Sequence, residues 1–322
     1  MIEFNPKSMK QWSRLGPRAM YGQFMLDLAE TVPNLILISA DLGRSSGLDR
    51  FKNQYPDKYL SVGISEQNMI GVAAGLAYEG YKVFVTSFAP FLSMRASEHI
   101  RMNLGYMQHP VNLVALGSGL GMGYLGNSHF GLEDISYMRS IPNINISCPA
   151  DCAELGKTLL DYSSNNRGPS YIRLTGIPGS PLLYDDNYNF KFSKKEIFGD
   201  GKDVLIISHG SISAQCKLAQ NLLHENGIKS KLINLHTLKP IDETIINDIN
   251  EYEKIIVVEE HSLIGGLSSI ISELVVKNSI KRKILNITLP DKFGPTGDYN
   301  YLLDFHNLTA PKISKKIIDF FN

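Results

Sequence analysis

Residues 62–77 read VGISEQNMIGVAAGLA, and this stretch joins a strand to a helix. The apolar residues at its start predict a strand over 59–64, and the small and apolar residues that follow predict a helix over 66–78. Gly80 is placed to end that helix. The junction delivers one glutamate, Glu66, at the end of a strand, which is where α/β sheets bind ligands.

Short apolar runs alternate with amphipathic stretches in the rest of the chain. Further strands are predicted at 35–38, 83–85, 111–116, 144–148 and 171–174, with helical segments between them, including one over 91–107. A polar stretch interrupts this pattern, which restarts with strands at 204–208, 230–235, 255–258 and 284–289 and helices at 211–225, 267–276 and 313–321. The alternation predicts two α/β domains with mainly parallel sheets, at 1–185 and 203–322, joined by a linker at 186–202.

Composition excludes several classes of function. Lys and Arg total 32, as do Asp and Glu, so no basic excess favours binding to nucleic acid or to an anionic membrane. Three cysteines, Cys148, Cys152 and Cys216, are too few for a disulfide framework and suit a reducing compartment. We found no signal peptide and no apolar run of about 18 residues. We therefore expect a cytoplasmic enzyme or enzyme subunit.

A glycine-rich segment matches a dinucleotide-binding pattern but lacks its context. Gly121, Gly123 and Gly126 have the G-x-G-x-x-G spacing. The pattern requires a tight turn before a long helix and an acidic residue further on. Here the glycine-rich loop extends over 117–131, and the acidic residue is missing at the expected distance. We interpret the segment as a substrate loop.

Two aromatic residues lie at another predicted strand end, in the segment TSFAPF at 86–91. Phe88 and Phe91 could hold a flat ring there. Together with the 62–77 stretch, this segment resembles the pyrimidine-binding domain of the transketolase family. Further similar segments are SADL at 39–42, NSH at 127–129, LEDI at 132–135, CPAD at 148–151, TLKPID at 237–242 and VEEHSLIGGL at 258–267.

The resemblance extends from about residue 18 to residue 310 and is strongest to split transketolases. In those enzymes a second polypeptide carries only the pyrimidine-binding and C-terminal domains. The resemblance therefore implies a thiamine-diphosphate-binding fold followed by a transketolase C-terminal-domain-like fold. It also implies thiamine diphosphate as cofactor.

By this resemblance, Glu66 is the catalytic carboxylate and hydrogen-bonds a ring nitrogen of the cofactor's aminopyrimidine. Glutamate suits this task because it can share a proton with a ring nitrogen in a dry pocket. Phe88 and Phe91 resemble the aromatic wall of the pyrimidine pocket. The alternatives are a glutamate favoured by the helix dipole and two ordinary core aromatics.

The resemblance assigns other positions to the cofactor and substrate. Asp41 and Leu42 fall on a loop that lines the cofactor, although Asp41 could equally cap a turn. His129 is similar to a histidine that contacts hydroxyls of the donor, and it is the second predicted catalytic residue. The alternatives are a buried, satisfied histidine and a residue at a helix start. Arg18 and Ser45 match phosphate contacts of the family.

Three positions depart from the family. Transketolases usually carry an aspartate where this chain has Leu125, a histidine where it has Gly117, and, in members acting on phosphorylated sugars, an arginine where it has Gly176. Losing an arginine removes a charge-assisted hydrogen bond to phosphate. The departures leave open a larger or unphosphorylated acceptor, such as a nucleotide-linked sugar, with a ketol or acetyl donor.

The segment Gly199-Asp200-Gly201, with Asn226 further on, resembles the metal-diphosphate motif of thiamine-diphosphate enzymes. That motif follows a hydrophobic strand, whereas this triplet precedes the strand predicted at 204–208. We interpret it as a linker turn and predict no metal ligand in this chain. The Mg²⁺ and diphosphate ligands are then expected on an N-terminal transketolase-like subunit, in a heterotetramer formed by self-association through this chain.

Three hypotheses of function follow. The first is the C-terminal subunit of a heteromeric transketolase-like enzyme that transfers a two-carbon unit to a sugar acceptor. The second is the β subunit of a 2-oxo acid dehydrogenase decarboxylase component, which has the same fold. The third is a non-catalytic scaffold. The segments at 132–135 and 258–267 favour the first over the second, and Glu66 with both aromatics argues against the third.

Overall fold

The computed structural model describes residues 3–185 and 187–321 and contains two parallel-rich sheets, one in each half of the chain. The strands are β1 (Leu35–Ser39), β2 (Tyr59–Ser61), β3 (Lys82–Phe88), β4 (Val111–Leu116), β5 (Asn145–Ser147), β6 (Ser170–Arg173), β7 (Glu196–Phe198), β8 (Val204–Ser208), β9 (Ser230–Asn234), β10 (Thr237–Lys239), β11 (Lys254–Ser262) and β12 (Lys283–Leu289). The predicted fold class, two α/β units with mainly parallel sheets, is confirmed.

Helices connect the strands and cover both sheets. They are α1 (Pro6–Thr31), α2 (Asp49–Gln54), α3 (Glu66–Tyr78), α4 (Ser97–Ile100), α5 (Asp134–Ser140), α6 (Cys152–Ser164), α7 (Ile212–Glu225), α8 (Ile245–Glu251), α9 (Leu267–Lys277), α10 (Tyr299–Phe305) and α11 (Ala310–Phe321). Side chains cap several of them: Asn5 Oδ1 accepts from the Ser8 N–H of α1, and Asp151 Oδ1 accepts from the Glu154 N–H of α6.

The first sheet has the strand order β10-β5-β6-β4-β3-β1-β2, and all its strands except β10 run parallel. The loops that follow β1, β3, β4 and β6 therefore leave the sheet at one edge. Most of the predicted site residues lie on these loops or strand ends. This edge is where parallel sheets bind ligands.

Helix α3 has the predicted bounds, and its small residues explain its position. Ile70, Ala73, Ala74 and Ala77 are buried in the core cluster that covers one face of the first sheet. Alanines at these positions bring the helix close to the strands beneath it. The preceding strand β2 is shorter than predicted, because Gly63 takes a left-handed conformation (φ 73°) and turns the chain out of the sheet.

The second sheet has the order β12-β11-β8-β9-β7, in which only the edge strand β7 is antiparallel. β7, which pairs with β9, lies inside the stretch predicted as a linker, 186–202. Polar residues suit an edge strand that is exposed on one side, which is why the stretch resembled a linker. Met1, Ile2, Asp186 and Asn322, which fall at the ends of the predicted segments, lie outside the described residues.

Two further differences concern segments without a clear apolar period. β10, which we did not predict as a strand, crosses to the first sheet and pairs with β5. The helix predicted over 91–107 consists of wide π-helical turns at Phe91–Arg95 and Arg101–Tyr106, which flank α4. Such turns often occur at functional sites.

Candidate active site

Glu66 begins α3 and is nearly inaccessible to solvent, with 2% of its surface exposed. The turn before it is held by Ser65, whose Oγ donates to the Val62 carbonyl at 2.8 Å. Its carboxylate contacts two side chains. Oε2 accepts from Arg95 Nη1 at 3.0 Å, and Oε1 lies 3.5 Å from Ser87 Oγ. A buried carboxylate at the strand edge is thus present where the sequence predicted it.

Arg95 was not singled out from the sequence. It lies four residues after Phe91 on the first wide turn, and its guanidinium carbon is 4.1 Å from the centroid of the Phe91 ring. Its side chain is 45% exposed, so it reaches the buried carboxylate from the solvent side. The spacing of Phe91 and Arg95 on one helical turn was the available signal, because residues four apart share a helix face.

Phe88, Phe91 and His129 form an aromatic triad beside this carboxylate. Phe88 ends β3, and its ring centroid lies 5.9 Å from that of Phe91 and 5.9 Å from that of His129. The Phe91 and His129 centroids are 5.4 Å apart. His129 is half-buried, and its Nδ1 lies 2.9 Å from Ser128 Oγ. The fold thus brings four predicted site residues, Glu66 and the triad, into one region.

A cavity of about 150 Å³ opens next to Phe88. It is lined in part by Arg18, Gly117 and Gly176, three positions that the sequence singled out for substrate contacts. Leu125, another of the positions that depart from the family, is an exposed residue of the 117–131 loop and is absent from the lining. The cavity therefore lies between the exposed Arg18 and Phe88, a member of the aromatic triad.

Backbone conformation explains both glycines of this cavity. Gly176 has φ 87°, and a Cβ there would lie 2.9 Å from Ser180 Oγ. Gly117 has φ 64°, and its Cβ would lie 2.2 Å from Met122 Sδ. Side chains rarely adopt this left-handed conformation. An arginine at 176 or a histidine at 117 would require a different local backbone.

The loop after β1 carries Asp41, Leu42 and Ser45. Asp41 is exposed and has φ 58°, a conformation that aspartate tolerates better than most residues. Leu42 is half-buried, and its N–H donates to Ser39 Oγ. Within the described residues, no side-chain hydrogen bond or ion pair joins Asp41 or Ser45 to Glu66 or His129. Their roles in binding remain predictions.

Neither of the two glycine motifs that we rejected from the sequence has the structural context of a cofactor site. Gly199-Asp200-Gly201 lies in the loop between β7 and β8, ahead of the strand, and lines an open cavity of about 380 Å³. The 121–126 segment leads into a short 3₁₀ turn, Gly123–Ser128, and not into a long helix.

Over residues 3–185 and 187–321, no three His, Cys, Asp or Glu side chains are grouped so as to hold a metal ion. No helix in the same ranges is long and apolar enough to cross a membrane.

Comparison with known families matches both halves of the chain. Residues 15–176 match the transketolase pyrimidine binding domain, and residues 193–313 match the transketolase C-terminal domain. The chain belongs to the transketolase family. The resemblance inferred from the sequence is thereby confirmed for family and fold.

Individual transketolase relatives cover nearly the whole chain. A putative transketolase C-terminal section from Methanocaldococcus jannaschii is 35% identical, over 94% of this chain and 96% of that protein. An apulose-4-phosphate transketolase subunit from Phocaeicola vulgatus is 32% identical, with 94% and 96% covered. A solved split-gene transketolase, described as an inactive beta4 tetramer, superposes with a TM-score of 0.84 at 30% identity and covers 95% of this chain and 97% of that one. This transketolase chain thus corresponds to the C-terminal subunit of split transketolases.

Proposed function

We infer that this chain is the C-terminal subunit of a heteromeric, thiamine-diphosphate-dependent transferase that moves a ketol or acetyl unit to a sugar acceptor. The observation that carries the inference is Glu66, a buried carboxylate at a helix start beside an aromatic triad. Family membership supports a role in carbohydrate metabolism.

The residues of the site fit the pyrimidine end of thiamine diphosphate. A flat heteroaromatic ring needs aromatic contact and a group that shares a proton with its ring nitrogen, and the triad and Glu66 are suited to these roles. When bound, the cofactor supplies the nucleophilic carbon that cleaves the donor. Asp41 and Leu42, at the neighbouring strand end, would line the same pocket.

Three residues are suited to hold the substrate. His129 has Nδ1 next to Ser128 Oγ, which leaves Nε2 to hydrogen-bond a hydroxyl or carbonyl oxygen of the donor. Arg18 is exposed at the cavity next to Phe88, where a guanidinium would attract an anionic group. Ser45, on the loop after β1, would add a hydroxyl contact. An acceptor other than a simple sugar phosphate stays part of this proposal, because Gly176 supplies no side chain.

We propose that a partner subunit supplies the metal and diphosphate ligands. Mg²⁺ and the diphosphate need oxygen ligands, and Asp200 lies on the other unit of the chain, ahead of a strand. An N-terminal transketolase-like subunit would provide those ligands in a heterotetramer. Ile64 and Tyr124 are 78% and 76% exposed near the site, as expected of residues that a partner covers.

Reconstitution tests this proposal. The chain alone is titrated with thiamine diphosphate and Mg²⁺ by calorimetry, and then together with a candidate N-terminal subunit. We expect binding only in the mixture, and ketol transfer by the mixture. Tight binding to the chain alone that Asp200→Ala abolishes would contradict the partner assignment. Decarboxylation of 2-oxo acids without ketol transfer would instead identify a dehydrogenase β subunit.

A further inference from the structure

Glu260 belongs to the second sheet but contacts the loop that carries His129. It lies in β11 and is 1% exposed. Its Oε1 accepts a hydrogen bond from the Leu120 N–H at 2.6 Å. Its Oε2 accepts from the Tyr299 hydroxyl at 2.7 Å and lies 3.5 Å from Ser211 Oγ. The carboxylate is therefore fixed on one side by its own unit and on the other by the first unit.

The backbone of this loop, which we call the histidine loop (residues 117–131), lies directly against the carboxylate. Gly119 has φ 69°, and a Cβ at this position would lie 2.3 Å from Glu260 Oε1. Only a glycine allows the loop to approach so closely. The contact therefore depends both on the Glu260 carboxylate and on a glycine at position 119.

Arg173 ties the far end of the histidine loop to the same strand. Its Nη2 donates to the Gly131 carbonyl at 2.9 Å and to the Glu260 carbonyl at 3.0 Å. Its Nε donates to the Asp134 carboxylate, and both side chains are fully buried. The loop closes on itself where the Gly119 N–H donates to the Gly131 carbonyl at 2.8 Å. Both ends of the loop are therefore held at Glu260.

A third contact lies next to His129 itself. Asn127 Nδ2 donates to the Gly294 carbonyl at 3.0 Å, and Gly126 packs against the Thr296 methyl group. Both partners belong to the segment between β12 and α10, again in the second unit. The second unit thus contacts the histidine loop at its start and its middle, and reaches its end through Arg173.

We propose that Glu260 is a positioning residue of the active site, which holds the histidine loop so that His129 stays against Phe88 and Phe91. Its carboxylate is the only acceptor described for the Leu120 N–H, and a buried donor that loses its acceptor destabilises the arrangement it belongs to. The C-terminal unit then shapes the donor site, although it contributes no group to the chemistry. That Glu260 holds the histidine loop is argued from the contacts alone. That this loop position affects the kinetics of the enzyme rests on the proposed function.

Hydrogen exchange of the full chain, without partner or cofactor, tests the positional part. Glu260→Ala should raise the exchange of peptides covering 117–131 by about 10-fold to 150-fold, the range for a lost charge-assisted bond. Glu260→Gln should keep most of the protection, because an amide oxygen still accepts from Leu120. Tyr299→Phe, which removes the contacts of the Tyr299 hydroxyl with Glu260 Oε2 and Ser211 Oγ but leaves the Leu120 bond, is the matched control. Unchanged exchange in Glu260→Ala, or a rise spread over β8, β9 and β11, would overturn the proposal.

A second variant acts from the loop side if Glu260→Ala fails to fold. Gly119→Ala adds a methyl group where Glu260 Oε1 lies and should raise the exchange of the same peptides. Protection of the loop equal to that of the unmodified chain would contradict the proposed contact.

Kinetics of the reconstituted complex test the consequence for the site. Glu260→Ala should raise KM for the donor about 10-fold, while proton exchange at the cofactor's thiazolium carbon stays normal, and Glu260→Gln should restore KM. A fall in kcat together with thiazolium exchange, at unchanged KM, would overturn the positioning role. If the unmodified complex shows no ketol transfer, the proposed function is contradicted, but the amide hydrogen-exchange result for residues 117–131 still stands.

Discussion

Arg95 Nη1 lies 3.0 Å from Glu66 Oε2, so the carboxylate proposed to bind the pyrimidine already has a cationic partner. The same guanidinium stacks on Phe91, one of the rings proposed to contact the cofactor. Arg95 thus touches both halves of the proposed pyrimidine site. Because its side chain is 45% exposed, it can move into solvent at a small free-energy cost, which would leave Glu66 and Phe91 available.

Replacing Arg95 should therefore favour cofactor binding. In the reconstituted complex, Arg95→Gln should tighten thiamine diphosphate binding by up to about 5-fold, since a half-exposed ion pair contributes about 1 kcal/mol or less. Calorimetric titration of the variant and the unmodified complex measures the change. Arg101→Gln, further along the same helical segment, is the control. Weaker binding in Arg95→Gln would mean that the arginine contacts the bound cofactor and does not compete with it.

Glu66→Gln should leave the fold intact and remove most activity. A positioned acid-base group contributes about 100-fold to 10,000-fold, and the amide cannot share a proton in the same way. Turnover and proton exchange at the thiazolium carbon should fall together in the complex. Glu79→Gln, at the exposed end of the same helix, serves as the control. Near-normal exchange in Glu66→Gln would place the activating carboxylate elsewhere.

The central strands and α3 were predictable from the sequence because their apolar pattern is strong. β4 and β8 have the predicted bounds, and both are completely buried. β7 and β10 were missed because three-residue strands at sheet edges carry too short a pattern to detect. Their pairing depends on residues far away in the sequence, which no local pattern encodes.

The residues of the candidate site also fall into two groups, those that the sequence predicted and those that it did not. Glu66, Phe88, Phe91 and His129 were predicted through the resemblance to transketolases, and the fold brings them together. Arg95 and Glu260 form contacts across 29 and 140 residues, with Glu66 and Leu120 respectively. Such contacts follow from tertiary packing and could not be read from either segment alone. The sequence showed that position 176 has no arginine. It did not show the left-handed φ of Gly176, which disfavours an arginine there.

Arg18 offers the best test of substrate charge, because Gly176→Arg would strain the backbone. If Arg18 binds a substrate phosphate, Arg18→Ala should lower kcat/KM for pentose and triose phosphates by about 10-fold to 150-fold, as expected for a lost charge-assisted hydrogen bond. Activity on unphosphorylated keto sugars should stay unchanged. Arg14→Ala, one turn earlier and outside the cavity lining, is the control. An equal loss on both substrate groups would remove Arg18 from phosphate recognition.

Glu154 should make the stability of this chain depend on pH. Burial raises the pKa of its carboxyl to about 8, against opposing hydrogen bonds from the Ala150 N–H and the Tyr188 hydroxyl. A carboxyl with a raised pKa stabilises the fold fully below its unfolded-state pKa, and this contribution is lost as pH rises through the folded-state value. The free energy of unfolding should therefore fall between pH 5 and about pH 8.

Urea unfolding of the chain at several pH values measures this trend, and Glu154→Gln should flatten it, because an amide does not titrate. Glu225→Gln, an exposed glutamate at the end of α7, is the control and should keep the slope of the unmodified chain. A slope in Glu154→Gln equal to that of the unmodified chain would show that another group titrates. Stability that rises over this interval would mean that Glu154 is ionised in the fold, held by the two tyrosine hydroxyls, those of Tyr184 and Tyr188, that donate to its Oε1.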